Sequence, residues 1–260
     1  MFLQGKRILF FSAHLFGYQN DIRLAMESVG AIVDYYDERP ANNFLVKGVI
    51  RINRNLLAGY INHYYNKIIK ETLQKEYDYV FFIKGESISA SNVRRLKQFN
   101  SNAQNLLPYF DRVFSFDKID CERLGLHFLP LFYTPDYANI PYYDKEIKYD
   151  MLFVGTTHSD RYKLVKRIEE QIIKMGGLCL TWFYFPSKIL YYKMKIQNSY
   201  LRQIPVHTFH FKPMSKELLL QLYAGSRIII DVQHPKQTGL TMRCIETLGA
   251  KRKLITTNCY

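Results

Sequence analysis

The sequence predicts an α/β protein of two Rossmann-like domains, each a doubly wound parallel sheet, and three observations carry that expectation. Short apolar runs alternate with stretches of helical periodicity, the pattern of successive βαβ units. The strand-like runs, such as RILFFSA at 7–13 and RIIIDV at 227–232, are apolar throughout. Strands covered by helices on both faces should read that way. The pattern is also interrupted once, at 133–148, where Pro135 and Pro141 stand among Tyr and Asp residues. It then restarts, so the expected domains are 1–140 and 141–260.

In chain order, the first strand is expected at 7–13. A helix follows at 20–29, with Asn20 as its cap, Ile22, Ala25, Met26 and Val29 inward, and Gly30 closing it. A second strand at 31–36 leads to a long helical segment at 52–74, a third strand at 78–83 and a helix at 89–99. The polar stretch between Phe99 and Leu106 stands where a strand is expected, so the first domain should be irregular there. Strands at 112–116 and 127–132 flank a helix at 118–124. After the linker come a strand at 151–154 and a helix started by Ser159, with Leu164, Ile168, Ile172 and Met175 on one face. A strand at 178–185, a helix at 188–201 and a strand at 206–211 follow. Ser215 then starts a helix with Leu218, Leu219, Leu222 and Tyr223 inward. A strand at 227–232, a helix at 241–248 and a strand at 254–257 complete the pattern. The sequence stops shortly after that strand without a closing helix, so the second domain is expected to be truncated.

Composition bounds the function. The chain has 260 residues, is 48% hydrophobic and 23% charged, and carries a formal net charge of +13. That is the balance of a globular chain rather than a disordered one. The charge is uneven: residues 1–145 hold 18 Lys/Arg against 15 Asp/Glu, whereas 146–260 hold 18 against 8. The positive field of the second half suits anions, among them nucleotide diphosphates, nucleic acid and anionic lipid. Cysteines at 121, 179, 244 and 259 have no metal-ligand or redox spacing, so a reducing compartment and no structural zinc are expected. The apolar stretch Ile8–Phe11 is too short for a signal peptide, and no run approaches the ~18 apolar residues of a membrane span. A cytoplasmic protein follows as the expectation. No phosphate-binding Gly-x4-Gly-Lys-Ser/Thr loop, His-Glu-x-x-His site or nucleic-acid motif is present, so nucleic acid is not an expected partner.

Three segments could carry chemistry. In HPKQTGLTMRCIETLGA (234–250) a buried strand empties into a Gly-containing loop before a helix. His234, Gln237, Gly239 and Thr241 lie in that loop. Free N–H groups at the helix start suit a phosphate, and Arg243 adds a fork-shaped cation. Glu246, one turn on, can accept two ribose hydroxyls; the structural alternative is an Arg243–Glu246 surface pair. In FVGTTHSDRY (153–162) Gly155, Thr156, His158 and Ser159 form a second strand-to-helix turn, with Arg161 in the first helical turn. Ser159 and Asp160 equally serve as helix caps. After the first strand, His14 is a candidate general base, and Glu86, at the end of the third strand, is a second.

The run MRCIETLGAKRKLITTN (242–258) resembles the donor-binding segment of GT-B fold glycosyltransferases, in the bacterial surface-polysaccharide branch related to spore-maturation glycosyltransferases. The resemblance implies that Glu246 binds the donor ribose and that Arg243, with the 237–241 loop, flanks the diphosphate. It further implies that the Gly155 loop contacts the donor phosphates and that the loop bearing His14 faces the acceptor. The first Glu of the broader Glu-x7-Glu pattern is replaced by Thr238. The function expected from this is metal-independent transfer of a sugar from a nucleotide-sugar, bound as substrate rather than cofactor, to a glycan or lipid-linked acceptor in cell-surface polysaccharide synthesis, such as lipopolysaccharide or capsule. The alternative is a non-catalytic or decayed nucleotide- or sugar-binding protein of the same fold. The mixture of cations and aromatics at 188–196 suggests a peripheral membrane contact where lipid-linked acceptors reside, or else a basic solvated helix with a buried stripe.

Overall fold

The computed structural model describes residues 2–14, 17–42, 44–98, 110–142, 147–157, 160–234 and 239–259, with only the backbone given for 44, 45, 47, 51 and 52. The expected irregularity at 99–106 lies outside the described residues. The architecture is α/β with parallel sheets of three, two and five strands, and the chain divides into compact units Met1–Val113 and Phe114–Tyr260.

In the first unit, β1 (Arg7–Ser12) is central, between β2 (Ile32–Tyr36) and β3 (Tyr79–Ile83), both parallel to it. Its run of bulky side chains fits a strand covered on both faces: Leu9 and Phe11 pack into one core cluster, Ile8 and Phe10 into another. Helix α1 (Tyr18–Ser28) starts two residues before the expected cap, because Gly17 takes the left-handed conformation at its head (φ 93°). Asn20 is therefore helical, and Ala25 is exposed while Ile22 and Met26 reach the core. The long helix expected at 52–74 is α2 (Phe44–Asn53) and α3 (Ala58–Thr72), separated by a 3-10 turn at Arg54–Leu57. Asn53 breaks it by accepting a bond from the Asn55 N–H with its own side chain (3.0 Å). Helix α4 (Ala90–Gln98) follows β3.

The second unit opens on a two-stranded pair, β4 (Phe114–Ser115) and β5 (His127–Phe128), around α5 (Lys118–Leu124). The Asp117 carboxylate caps α5 through the Ile119 and Asp120 N–H groups, and Gly125 ends it at φ 65°. The stretch expected as a linker contains the short helix α6 (Pro135–Ala138), and its Tyr137 and Ile140 are buried beside Tyr223 and Ala250. Asp136 pairs with Lys216 at 2.6 Å, and Arg252 donates to the Pro141 carbonyl at 2.8 Å. These contacts tie 136–141 to the C-terminal unit, and the division falls at 113/114 where 140/141 was expected.

The five-stranded sheet runs β10-β9-β6-β7-β8, with β6 (Tyr149–Thr156), β7 (Cys179–Tyr184), β8 (Phe209–His210), β9 (Ser226–Asp231) and β10 (Lys253–Thr256). Its helices are α7 (Arg161–Lys174), α8 (Lys188–Gln197), α9 (Ser199–Arg202), α10 (Lys216–Ala224) and α11 (Met242–Gly249). The chain winds from β6 outward through β7 to β8, then crosses to the other side of β6 for β9 and β10. The strand order therefore reverses between β6 and β9, and in open α/β sheets the crevice outside the carboxyl ends at such a point is where ligands bind. On α7, Leu164, Ile168 and Ile172 pack into the core as expected, but Met175 is 85% exposed. Leu218 likewise faces out.

Candidate functional site

The β6/β9 switch point is occupied by two arginines. Arg161 stands in the first turn of α7, which follows β6, and Arg243 in the first turn of α11, which follows β9. Arg161 is buried and donates to the Thr156 carbonyl (2.9 Å), the Thr156 hydroxyl (3.2 Å) and the Val232 carbonyl at the end of β9. Arg243 donates to the Val154 carbonyl on β6, to Asp231 Oδ1 at 3.3 Å, and lies over the Phe153 ring at 5.5 Å. Each guanidinium thus uses part of its donor fork to tie the ends of two adjacent strands together. Asp231 is the counter-charge, fully buried, with Oδ2 also accepting from the Thr256 hydroxyl (3.0 Å) and the Cys244 thiol (3.3 Å). Two cations facing one carboxylate leave an excess positive charge at this strand edge. Burial, and then the neighbouring Arg243, lower the Arg161 pKa to about 9.

Gly155 makes the pairing possible. A Cβ built there would stand 2.9 Å from the Phe153 ring, 3.2 Å from an Nη of Arg243 and 3.5 Å from an Nη of Arg161. The glycine expected to let backbone approach a ligand instead lets the two guanidiniums approach the backbone. We expect Gly155→Ala to cost about 1–3 kcal/mol of stability through overpacking, measured by urea denaturation.

Helix α11 places the third group. Thr241 caps it, its hydroxyl accepting from the Cys244 N–H at 3.2 Å. Glu246 lies one turn beyond Arg243 and is only 8% exposed. Its carboxylate has no hydrogen-bond or ion-pair partner among the described residues, and burial raises its pKa to about 7. The surface pair Arg243–Glu246 is not formed, because Arg243 turns toward Asp231. A buried carboxylate without a partner is costly to a folded chain. Burial is the only influence on the Glu246 pKa; neither Arg243 nor Arg161 offsets its charge.

Of the other expected residues, Thr156 is engaged by Arg161, and Gly239 packs on the Phe116 ring and accepts from the Asn258 amide (3.0 Å). His234 is exposed in the loop after β9. His158, Ser159 and Gln237 lie outside the described residues. At the head of α7, Asp160 makes no side-chain cap bond. Beside the α11 N-terminus is a recess of about 260 Å³ whose lining includes Phe116, Phe128, Pro130, Leu240 and Ile245. Among the described residues, no three His, Cys, Asp or Glu side chains are grouped so as to hold a metal ion.

In the first unit, His14 and Glu86 occupy the carboxyl ends of β1 and β3, again where the strand order reverses. His14 Nε2 is 3.5 Å from Asp37 Oδ2, and its Nδ1 is 3.2 Å from the Gln19 amide. Glu86 follows Lys84 and Gly85, both left-handed (φ 76° and 64°), and accepts from Arg39 at 2.8 Å. Sequence reasoning missed the group behind it. Glu38 is fully buried, its Oε2 accepts from the Glu86 N–H at 3.1 Å, and its Oε1 is 3.8 Å from Arg39 Nε. Burial raises its pKa to about 7 against the opposing pull of Arg39. Because the folded value exceeds the unfolded one, Glu38 contributes stability below about pH 4.5 that is lost as the pH rises through about 7. Between pH 5 and 8 the wild type should lose up to about 3 kcal/mol that Glu38→Gln retains. Urea midpoints across that range measure it, and parallel slopes for the two proteins would refute it.

No protein-family model, curated protein or solved structure was found to match this chain.

Proposed function

We propose that the C-terminal unit binds the diphosphate of a nucleotide-sugar at the β6/β9 switch point, and that the chain is a GT-B-like glycosyltransferase acting on a glycan or lipid-linked acceptor. The observation that carries the reading is the placement of Arg161 and Arg243 on adjacent strand ends, with the unpartnered Glu246 one turn along α11. The remaining guanidinium donors and the free N–H groups at the α11 N-terminus meet the diphosphate. The Glu246 carboxylate accepts the ribose hydroxyls as charge-assisted hydrogen bonds.

In the proposed reaction an acceptor hydroxyl attacks the anomeric carbon and the bond from that carbon to the diphosphate oxygen breaks. The arginines and the helix end stabilise the negative charge that develops on the leaving nucleoside diphosphate, so no divalent cation is needed. The hydroxyl proton passes to a base or to a donor phosphate oxygen. The acceptor chemistry is assigned to the N-terminal unit, and the setting to the cytoplasmic side of cell-surface polysaccharide synthesis. Among the described residues no helix is long and apolar enough to cross a membrane.

The test is release of nucleoside diphosphate from nucleotide-sugars by the purified chain, with chelator present. Slow donor hydrolysis, unchanged by the chelator, is expected. Tight binding without release would favour a non-catalytic nucleotide-binding protein, and release abolished by the chelator would contradict the metal-independent mechanism.

A further inference from the structure

Helix α8 is apolar on two opposite sides. Tyr191 is fully buried, and Leu190 and Met194 pack with it on the core of the C-terminal unit. At about 100° per residue, Ile189, Tyr192 and Ile196 form a second stripe on the outer side. They are 66%, 55% and 72% exposed. A helix already seated on its core has no structural use for a second apolar stripe. Lys193 flanks this stripe on one side, Lys188 and Lys195 on the other. Tyr192, Lys195, Ile196 and Arg202 also line a shallow recess of about 210 Å³, where an apolar wall meets two cations. The sequence around the helix is one-signed: no Asp or Glu occurs between Glu170 and Glu217, while Lys188, Lys193, Lys195, Arg202 and Lys212 lie within that interval.

We infer that the outer face of α8 docks on an anionic membrane surface. The apolar stripe enters the boundary between headgroups and acyl chains, the flanking lysines reach lipid phosphates, and Tyr192 sits at headgroup level, where amphipathic rings are favoured. The absence of acidic side chains from the whole interval distinguishes this occupant from a protein partner of mixed charge. The inference does not depend on the donor site.

The test is sedimentation of the full chain with phosphatidylcholine vesicles, with and without phosphatidylglycerol, at moderate salt. Binding to the anionic vesicles alone is expected. Replacing Lys188, Lys193 and Lys195 by Gln should weaken it about fivefold per cation. Because a chain of net charge +13 can adsorb diffusely, the deciding variant is Ile189→Ser/Ile196→Ser, which leaves the charge unchanged. Both side chains are exposed, so the thermal midpoint should not move, and vesicle affinity should fall about tenfold or more. Three results would overturn the inference: no binding to anionic vesicles, binding unaffected by the Ile pair, or a dimer that the Ile pair dissociates without any vesicle binding.

Discussion

Glu246→Gln should make the protein more stable and a worse nucleotide binder at once. The Glu246 carboxyl is buried without a partner, and its pKa is raised to about 7 by burial alone. A raised folded value means that its ionised form opposes folding, so the stability it contributes is present below about pH 4.5 and lost as the pH rises through about 7. At pH 8 the glutamine variant should therefore gain about 1–3 kcal/mol over the parent, with the gain vanishing by about pH 4. Losing a charged acceptor for the ribose costs roughly 1.5–3 kcal/mol, or about tenfold to a hundredfold in donor affinity. Denaturation midpoints at the two pH values and a nucleotide titration measure both halves. A variant less stable than the parent at pH 8 would show a structural role, and unchanged affinity would remove Glu246 from the donor site.

Arg243→Met should act in the opposite direction on stability. Among the described residues it leaves Asp231, which is 1% exposed, with only the Thr256 hydroxyl, the Cys244 thiol and the more distant Arg161 for compensation. Breaking a buried pair by removing one partner typically costs ~3–5 kcal/mol, and the two remaining donors place this case near the lower figure. Asp231→Asn added to Arg243→Met removes the stranded charge and should recover at least half of the loss. Affinity for nucleoside diphosphates should fall about tenfold to a hundredfold in both variants, because the donors lost to the ligand are the same. A double variant that regains stability and affinity together would mean that Arg243 only anchors the sheet.

The fold was largely legible because strand and helix periods are local properties. β1, β2, β3, β6, β7, β9 and β10 lie within two residues of where their apolar runs predict them. Failures occur where a distant contact or a single backbone conformation decides. Nothing in the sequence around 206–211 distinguishes a strand from the 3-10 turn and two-residue β8 that form there. The Pro-containing stretch at 133–148 reads as a linker because the partners that bury it, Tyr223 and Arg252, lie about a hundred residues away in sequence. At the site, Arg243, Arg161 and Gly155 were legible from strand–loop–helix junctions. Their bonding to strand-end carbonyls was not, since it follows from the sheet order. Asp231 closes the run IIID and gave a visible signal, a carboxylate at the carboxyl end of a buried strand. Glu38 gave none, because DERP reads as an ordinary polar turn until β2 and β3 are placed on either side of β1.

Calorimetric titration of the chain with nucleoside diphosphates and their sugar derivatives, in the presence of a chelator, tests the central claim most directly. The account predicts saturable one-to-one binding that inorganic pyrophosphate competes away and that Arg243→Met/Asp231→Asn and Glu246→Gln each weaken at least about tenfold. No saturable binding by any nucleotide up to millimolar concentration, or binding that survives both substitutions, would contradict it.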